Sequence, residues 1–287
     1  MHLQRVDQRQ RDICDELGIS PNFDPIDEIS QRVAFMSDYL RQTKTHFLIL
    51  GISGGIDSAT AGRMAQLAVR HAREQGYSAQ FIAMRLPYEI QRDENYAQSA
   101  LQFIEPDRTV YVDVRPASDA MLASVAKSGL EFRDASHEDF VLGNIKARQR
   151  MIAQYAVANA HNGLVIGTDH AAEALMGFFT KYGDGACDLT PLAGLNKRRI
   201  RAIASALGAP PALVHKVPMA DLENLAPQRP DEDAYGITYD QIDDFLEGKP
   251  VSEAVYQTIY RFYDRTAHKR AMPAEPSSGL ARNSIDR

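Results

Sequence analysis

Cysteine and long apolar runs are both scarce in this chain. Cysteine occurs only at Cys14 and Cys187, which cannot form a disulfide framework and match no metal-ligand spacing. We therefore expect a reducing compartment, the cytoplasm. The longest apolar stretches, such as 47–50, are too short to cross a bilayer, and the polar N-terminal segment is unlike a signal peptide. These absences argue against secreted miniproteins and membrane-spanning proteins.

Positive charge is also in deficit. Lysine and arginine total 32 against 38 acidic residues, a formal net charge of −6, which argues against bulk electrostatic binding of nucleic acid. The net charge does not exclude a local basic groove that binds nucleic acid. With 44% hydrophobic and 24% charged residues the composition is that of an ordinary globular protein, and 287 residues allow one large domain or two small ones.

Short apolar runs alternate with amphipathic segments along the chain. The pattern predicts strands at 46–52, 79–86, 109–114 and 163–167, and helices at 25–43, 58–74, 93–104, 142–160, 196–207 and 251–265. This alternation predicts an α/β fold with a doubly wound, mainly parallel sheet flanked by helices. The segment 218–235, with three prolines and many charges, is expected to be a long mobile loop that could act as a lid.

A glycine-rich loop, GISGGIDS at 51–58, joins the first predicted strand to a helix. Unpaired N–H groups and the helix dipole make such a place an anion site, and glycine lets a phosphate approach the backbone closely. Asp57 would repel a phosphate unless it holds a bridging Mg²⁺. The loop is neither a Walker A nor a Rossmann motif. The alternative is a small-residue turn that binds nothing.

Two further motifs place charge near predicted strand and helix ends. Lys146, Arg148 and Arg150 are expected at the head of a helix, where they could bind phosphate or form a solvated cationic face. Thr168 and Glu173 follow the fourth strand, so Glu173 could be a second carboxylate on the metal; Thr168 and Asp169 could also form a helix N-cap, which is compatible with a role in the site. His170 has no histidine or cysteine partner at metal spacing and is not predicted to be a ligand.

Polar residues between 177 and 197 are the remaining candidates. Lys181 and Asp188 lie in a glycine-rich loop that could also be ordinary surface. Lys197 begins a predicted helix, where the dipole disfavours a cation, and a nearby anionic ligand would explain it. A solvent-facing basic turn is the alternative.

SGGIDS after a buried strand resembles the signature of the ATP pyrophosphatase (PP-loop) superfamily, whose members cleave ATP between the α- and β-phosphates. A further ordered set of strings resembles the NAD synthetase family over roughly residues 1–275: GISGGIDSATAGR, AMRLP, GNIKAR-x-RM, GTDHAAE, GFFTKYGDG, LAGLNKR and HKR. The resemblance implies an adenine nucleotide alpha-hydrolase-like fold, one domain at 1–275 and a flexible tail at 276–287.

The family is a group of ligases that join ammonia to deamido-NAD⁺ at the expense of ATP, giving NAD⁺, AMP and pyrophosphate in the last step of NAD biosynthesis. The resemblance implies an ATP site of Gly51, Ile52, Ser53, Gly54, Gly55, Ile56, Asp57, Ser58, Thr168, Lys197 and Met219, with 83–86 lining the adenine pocket. It implies Mg²⁺ on Asp57 and Glu173. It implies a dinucleotide site of Arg148, Lys181, Asp188, His268 and Lys269.

Asp57, Lys197 and Asp188 are the predicted catalytic residues, with Asp188 either as the base that deprotonates ammonium or, equally, as a residue that pairs with the substrate. Relatives carry threonine where this chain has Met219, which cannot donate the corresponding hydrogen bond. A homodimer is also implied, and helix 142–160 could supply its surface. The loop begins at residue 51, so we expect no glutamine amidase domain and free ammonia, or a separate donor protein, as the nitrogen source.

Two alternatives compete with this interpretation. A tRNA-thiolating enzyme of the same superfamily generally needs neighbouring reactive cysteines, which Cys14 and Cys187 are not. A non-catalytic nucleotide sensor would need the phosphate loop but not Glu173, Lys181 and Asp188 together, and fold alone does not exclude it.

Overall fold

The computed structural model describes residues 8–89, 94–220, 223–225 and 229–276. Its strands are β1 (Phe47–Gly51), β2 (Gln80–Arg85), β3 (Arg108–Tyr111), β4 (Gly163–Val165), β5 (Met219–Ala220) and β6 (Arg229–Pro230). Its helices are α1 (Gln8–Glu16), α2 (Pro25–Thr43), α3 (Ile56–Glu74), α4 (Glu94–Ile104), α5 (Arg115–Lys127), α6 (Ala135–His161), α7 (Ala171–Met176), α8 (Lys197–Ala206), α9 (Pro211–Val214), α10 (Asp231–Tyr235), α11 (Tyr239–Leu246), α12 (Glu253–Arg265) and α13 (Ala267–Arg270).

The main sheet is parallel, with strand order β3-β2-β1-β4. Helices α3 and α4 connect the strands on one side of β1, and the chain then returns through α5 and α6 to add β4 on the other side. The strand order therefore reverses between β1 and β4. In open α/β sheets ligands bind at this reversal, beside the carboxyl ends of the strands. The predicted doubly wound α/β fold is confirmed.

The sheet is buried on both faces because its strands alternate between two cores. Leu48 and Leu50 of β1 point into a cluster with α2, α3 and α8, while Ile49 points into a second cluster against α6. The alanine-rich stripe of α3, with Ala61, Ala65 and Ala68 buried, lets this helix pack closely on the sheet. This packing fixes the position of the loop between β1 and α3.

A third cluster joins the C-terminal helices to the site. It contains residues of α1, α7, α10, α11 and α12, among them the buried aromatic residues Tyr235, Tyr239 and Phe245. Part of the segment predicted to be a long mobile loop is ordered here: β5 pairs antiparallel with β6, and α10 follows directly. The loop prediction is therefore wrong for these residues, since paired backbone and buried Tyr235 anchor them. Residues 221–222 and 226–228 lie outside the described residues.

Several predicted boundaries need correction. Helix α6 begins at Ala135 rather than at 142, because the Asp134 side chain accepts a hydrogen bond from the His137 N–H and caps it. The basic residues at 146–150 therefore lie in its interior and not at its head. Helices α1, α5, α9, α10, α11 and α13 were not predicted. The predicted tail at 276–287 lies almost wholly outside the described residues, and no helix within the described ranges is long and apolar enough to cross a membrane.

Candidate active site

The loop after β1 is built around Gly54 and Gly55. Gly54 has φ +88°, and a Cβ there would lie 2.7 Å from the backbone nitrogen of Ala97 in α4. Glycine is therefore required both by the backbone conformation and by the close approach of α4. Gly55 precedes α3 without a side-chain cap, so the first N–H groups of α3 have no earlier helical carbonyl to bind. The Ser53 and Ser58 hydroxyls lie 3.2 Å apart beside them.

The first two residues of the predicted phosphate loop have structural partners. The Gly51 N–H donates to Gln154 Oε1 at 2.8 Å, and the Ile52 N–H donates to the Met84 carbonyl at 2.8 Å. The buried Arg85 guanidinium donates to the Ile52 carbonyl. These bonds hold the loop on the sheet, so the amides of Gly51 and Ile52 do not face a ligand. Their assignment to the ATP site stays a prediction. It would depend on their position in the loop and not on hydrogen bonds from their amides.

Asp57 lies in the first turn of α3 and pairs with Lys197. Lys197 Nζ lies 3.0 and 2.9 Å from the two carboxylate oxygens, and its side chain is 1% exposed against 20% for Asp57. Burial favours the neutral carboxyl, but the Lys197 ammonium outweighs it and holds the pKa of Asp57 below its ordinary value. Likewise, burial disfavours the charged amine, but Asp57 raises the pKa of Lys197. The pair is therefore ionic.

Lys197 stands at the start of α8, where a helix dipole disfavours a cation. Asp243 of α11 compensates from a distant part of the chain. Its two carboxylate oxygens accept the N–H groups of Lys197 at 3.1 Å and Arg198 at 2.7 Å. Asn196 caps the same helix by accepting from the Arg199 N–H at 2.9 Å. The helix start is thus held so that the lysine reaches Asp57.

His170 and Glu173 complete the group around Asp57. His170 Nε2 lies 3.6 Å from Asp57 Oδ1 and 3.5 Å from Glu173 Oε1, and the ligand atoms of the three residues all lie within 4.8 Å of one another. Burial, and then Lys197, lowers the pKa of His170 to about 3, so its ring is neutral. Burial raises the pKa of Glu173 well above its ordinary value.

The donor set fits a hard divalent cation. Carboxylate oxygens are the ligands that Mg²⁺ prefers, and Asp57 and Glu173 both lie beside the first turn of α3. With both ionised, two negative charges face one lysine, so the group carries an excess of one negative charge. A divalent cation would supply the charge that keeps the half-buried Glu173 ionised. The predicted metal residues are therefore brought together.

The predicted dinucleotide residues form a second group. Arg148 Nη2 donates to the Lys181 carbonyl at 3.3 Å, and Lys181 Nζ donates to the His268 carbonyl. Lys269 Nζ donates to the Gly177 and Phe179 carbonyls at 2.8 Å each. A cavity of about 330 Å³ opens here, lined in part by Lys181, Lys269 and Phe179. The structure therefore brings Arg148, Lys181, His268 and Lys269 to one place.

Three predicted residues lie outside both groups. Asp188 accepts from the Val165 N–H at 2.7 Å and lies 3.4 Å from the Tyr155 hydroxyl, so it braces the end of β4. Thr168 is half-buried just after β4. Met219 is half-buried in β5, opposite Pro230. Their predicted contacts with substrates stay predictions.

Sequence reasoning missed His170, Gln154 and Asp243. His170 was excluded because it has no histidine or cysteine partner, but its spacing to Glu173 places the two on one side of a helical turn and could have identified it. Nothing in the sequence links Asp243 to Lys197 or Gln154 to Gly51, because these contacts join residues far apart in the chain. Such contacts become visible only once the chain has folded.

A glycine-rich loop at the strand-order reversal of a parallel sheet, with a buried lysine and two carboxylates beside it, defines a nucleotide-binding α/β protein of the PP-loop type. The chain belongs to the NAD synthase family, whose model matches residues 28–273. The family resemblance seen in the sequence is thereby confirmed.

Individual relatives agree with this assignment. The NH(3)-dependent NAD(+) synthetase of Burkholderia pseudomallei (strain 1106a) is 63% identical over 273 residues, 94% of this chain and 96% of that protein. The crystal structure of NAD+ synthetase from Burkholderia pseudomallei aligns with a TM-score of 0.81 at 60% identity, covering 95% of this chain and all of that one, 100%. NMN synthetase from Francisella tularensis aligns with a TM-score of 0.77 at 33% identity, covering 89% of this chain and 100% of that one.

Proposed function

We propose that this chain is an ammonia-dependent NAD⁺ synthetase, a ligase that converts deamido-NAD⁺, ATP and ammonia to NAD⁺, AMP and pyrophosphate. The observation that carries this proposal is the contact between Asp57 and Lys197 beside the uncapped start of α3, with Glu173 facing the same point. A bare carboxylate is a poor electrophile, and this arrangement suits its activation by ATP. The family assignment identifies the carboxylate as that of the nicotinate ring.

The first step is an attack on the α-phosphorus of ATP. An oxygen of the nicotinate carboxylate forms a bond to this phosphorus, and the bond to the bridging oxygen of the β-phosphate breaks with its electron pair on pyrophosphate. The N–H groups at the start of α3 and the Lys197 ammonium stabilise the charge that develops on the leaving group. Asp57 and Glu173 would hold Mg²⁺, which supplies Lewis-acid stabilisation of phosphoryl oxygens when bound.

The second step joins nitrogen to the activated carboxyl. Ammonia attacks the carbonyl carbon of the mixed anhydride, the attacking nitrogen loses one proton to solvent, and the bond to the AMP oxygen breaks with its electron pair on AMP. Ammonia is mostly ammonium at neutral pH, so a proton must leave first, and we propose Asp188 as the base. Asp188→Asn should then lower turnover at saturating substrate. Tyr155→Phe, which removes the hydroxyl 3.4 Å from Asp188, is the matched control and should leave turnover near normal. Full turnover in Asp188→Asn would refute the base role.

The group of Arg148, Lys181, His268 and Lys269 would bind the dinucleotide. The lysine at 269 is held by two backbone carbonyls, so it would present a fixed positive charge to the cavity. The Met219 side chain donates no hydrogen bond, so its contact with ATP would be by packing alone. Because Arg148 belongs to this group, Arg148→Ala should raise the KM for deamido-NAD⁺ more than the KM for ATP.

A cytoplasmic homodimer completes the proposal. Helix α6 exposes Phe140 and Ile152, which are 56% and 51% accessible, and a second copy of this chain could cover them. The two separate cysteines suit a reducing compartment. Sedimentation at micromolar concentration tests the assembly, and a monomer there would contradict the dimer.

A product assay tests the reaction itself. The protein is incubated with ATP, Mg²⁺, ammonium and deamido-NAD⁺, and NAD⁺ and AMP should appear in equal amounts. Asp57→Asn should abolish both while the protein stays folded. Replacing deamido-NAD⁺ by nicotinate mononucleotide tests the competing activity suggested by the NMN synthetase relative. Faster turnover of the mononucleotide would assign the other substrate, and no turnover of either by folded protein would refute the ligase.

A further inference from the structure

His170 is a buried histidine that the reaction scheme above leaves without a role. Its side chain has no exposed surface, and Nε2 is a buried nitrogen without a hydrogen-bond partner among the described residues. A buried polar atom left unpaired costs stability, so its retention calls for an explanation. It lies almost equidistant from the two carboxylates, 3.6 Å from Asp57 and 3.5 Å from Glu173.

The orientation of the ring follows from its other nitrogen. His170 precedes α7, and its Nδ1 accepts a hydrogen bond from the Glu173 N–H at 3.4 Å. Because Nδ1 accepts this hydrogen bond it carries no proton, so the N–H of the ring is on Nε2. The N–H of Nε2 therefore points toward the gap between the two carboxylates.

This tautomer decides whether His170 ligates the cation directly or donates a hydrogen bond to the carboxylates that ligate it. A histidine that ligated a cation through Nε2 would need its proton on Nδ1, where it would face the Glu173 N–H donor to donor. Imidazole ligation would also favour softer transition metals, whereas oxygen ligands suit Mg²⁺. As a donor, Nε2–H would instead serve carboxylate oxygens that the cation does not use. Partners of this kind fix the direction of metal ligands and tune their affinity.

We propose that His170 is a positioning residue whose Nε2–H donates to the carboxylates of Asp57 and Glu173, so that both point at the bound cation and its protein ligands are oxygens alone. This role rests on the cation site proposed above. It requires that the cation is bound more weakly when the donor is lost, even if the helix cap at Nδ1 is kept.

Two substitutions separate the two nitrogens. Asparagine in His170→Asn can keep the cap, because its short side chain accepts the Glu173 N–H, but it does not reach the carboxylates. Glutamine in His170→Gln can carry an N–H donor to the position of Nε2 but is a poor cap. His71→Asn, at an exposed histidine of α3, is the matched control and should change nothing measured. The probe is Mn²⁺ with α,β-methylene-ATP, titrated by the EPR signal of unbound Mn²⁺.

We expect His170→Asn to weaken Mn²⁺ binding about tenfold and His170→Gln to restore it to within about threefold of the original. Melting temperatures should move in the opposite order, with His170→Gln losing about 2–4 °C and His170→Asn less. If His170 were merely structural, the variant with the lower melting temperature would also be the one that binds Mn²⁺ more weakly. Pulsed EPR of Mn²⁺ bound to the unsubstituted protein should show no coupling to imidazole ¹⁴N, a result that needs no variant to fold.

Three outcomes would overturn the proposal. Coupling to ¹⁴N that His170→Asn removes would make His170 a direct ligand. Affinity within about twofold of the original in His170→Asn, or equal loss in both variants, would remove the positioning role alone. Absence of Mn²⁺ binding to the unsubstituted protein would refute the proposed cation site and, with it, this role.

Discussion

Replacement of Lys197 by methionine removes one charge from the centre of the site while keeping most of the side-chain volume. Lys197 Nζ lies 2.9 Å from Asp57 Oδ2, and two unit charges at this separation attract by about 6 kcal/mol at an effective dielectric constant near 20. The cost of burying the charges offsets part of this attraction. Removing one partner of a buried pair typically costs about 3–5 kcal/mol, because the other charge is left uncompensated.

The lower end of that range applies here. The lysine side chain is 1% exposed, but Asp57 keeps 20% of its side chain accessible and can be hydrated. We expect Lys197→Met to lower the free energy of unfolding by about 3 kcal/mol, or roughly 6–12 °C in melting temperature for a chain of this size. Activity should be lost, because the ammonium that faces the leaving group is gone.

The assay is urea unfolding followed by circular dichroism, without and with Mg²⁺. The matched control is Asp57→Asn combined with Lys197→Met, which removes both charges and should recover most of the lost stability while remaining inactive. Saturating Mg²⁺ should stabilise Lys197→Met, since the cation replaces the missing positive charge beside Asp57. A loss below about 1 kcal/mol in the single variant, or equal losses in the single and double variants, would refute the buried pair.

Three further predictions follow from contacts near the site. Gly54→Ala should destabilise the protein by at least about 1 kcal/mol and raise the KM for ATP, because φ +88° is strained for alanine and its Cβ would press on Ala97. Urea unfolding and initial rates measure the two effects. An unchanged free energy of unfolding and an unchanged KM for ATP would contradict the prediction. Burial, and then Asp184, raises the pKa of Asp169 to about 7. Because this folded-state pKa is above the unfolded one, stability from Asp169 is present at low pH and lost as the pH rises toward 7. Asp169→Asn should therefore be more stable than the original protein at pH 8 but not at pH 4. Unfolding midpoints of the two proteins that change in parallel with pH would refute this. Asp243→Ala should cost about 1–2 kcal/mol by leaving two amides of α8 uncapped, and it should lower kcat more than it changes the KM for deamido-NAD⁺; unchanged kcat would contradict the positioning of the lysine.

Local patterns in the sequence predicted the elements that carry strong local signals. Helix α2 was predicted at its observed bounds because Pro25 begins it and apolar residues recur at helical spacing. Glycines likewise identified the loop at 51–58, because the positive φ of Gly54 is a backbone conformation that few other residues adopt. The start of α6 at Ala135 was missed because its first two turns carry mostly polar residues without a clear apolar stripe.

Contacts between distant residues were beyond sequence reasoning. The carboxylate of Asp57 and the amine of Lys197 were each predicted to belong to the site, but their mutual contact depends on α8 packing beside α3 in the core and on Asp243 of α11 holding the start of α8. The antiparallel pairing of β5 with β6 depends on tertiary packing in the same way. Motif spacing therefore identified the participating residues, and packing determined which of them meet.

The activation of the nicotinate carboxylate by ATP is the central claim, and isotope transfer tests it most directly. Deamido-NAD⁺ labelled with ¹⁸O in its nicotinate carboxylate is converted with ATP, Mg²⁺ and ammonium, and the products are analysed by mass spectrometry. If the carboxylate attacks the α-phosphorus, one labelled oxygen must leave with AMP and none with pyrophosphate, while NAD⁺ keeps the other. Label in inorganic phosphate or pyrophosphate, or AMP without label, would contradict the account.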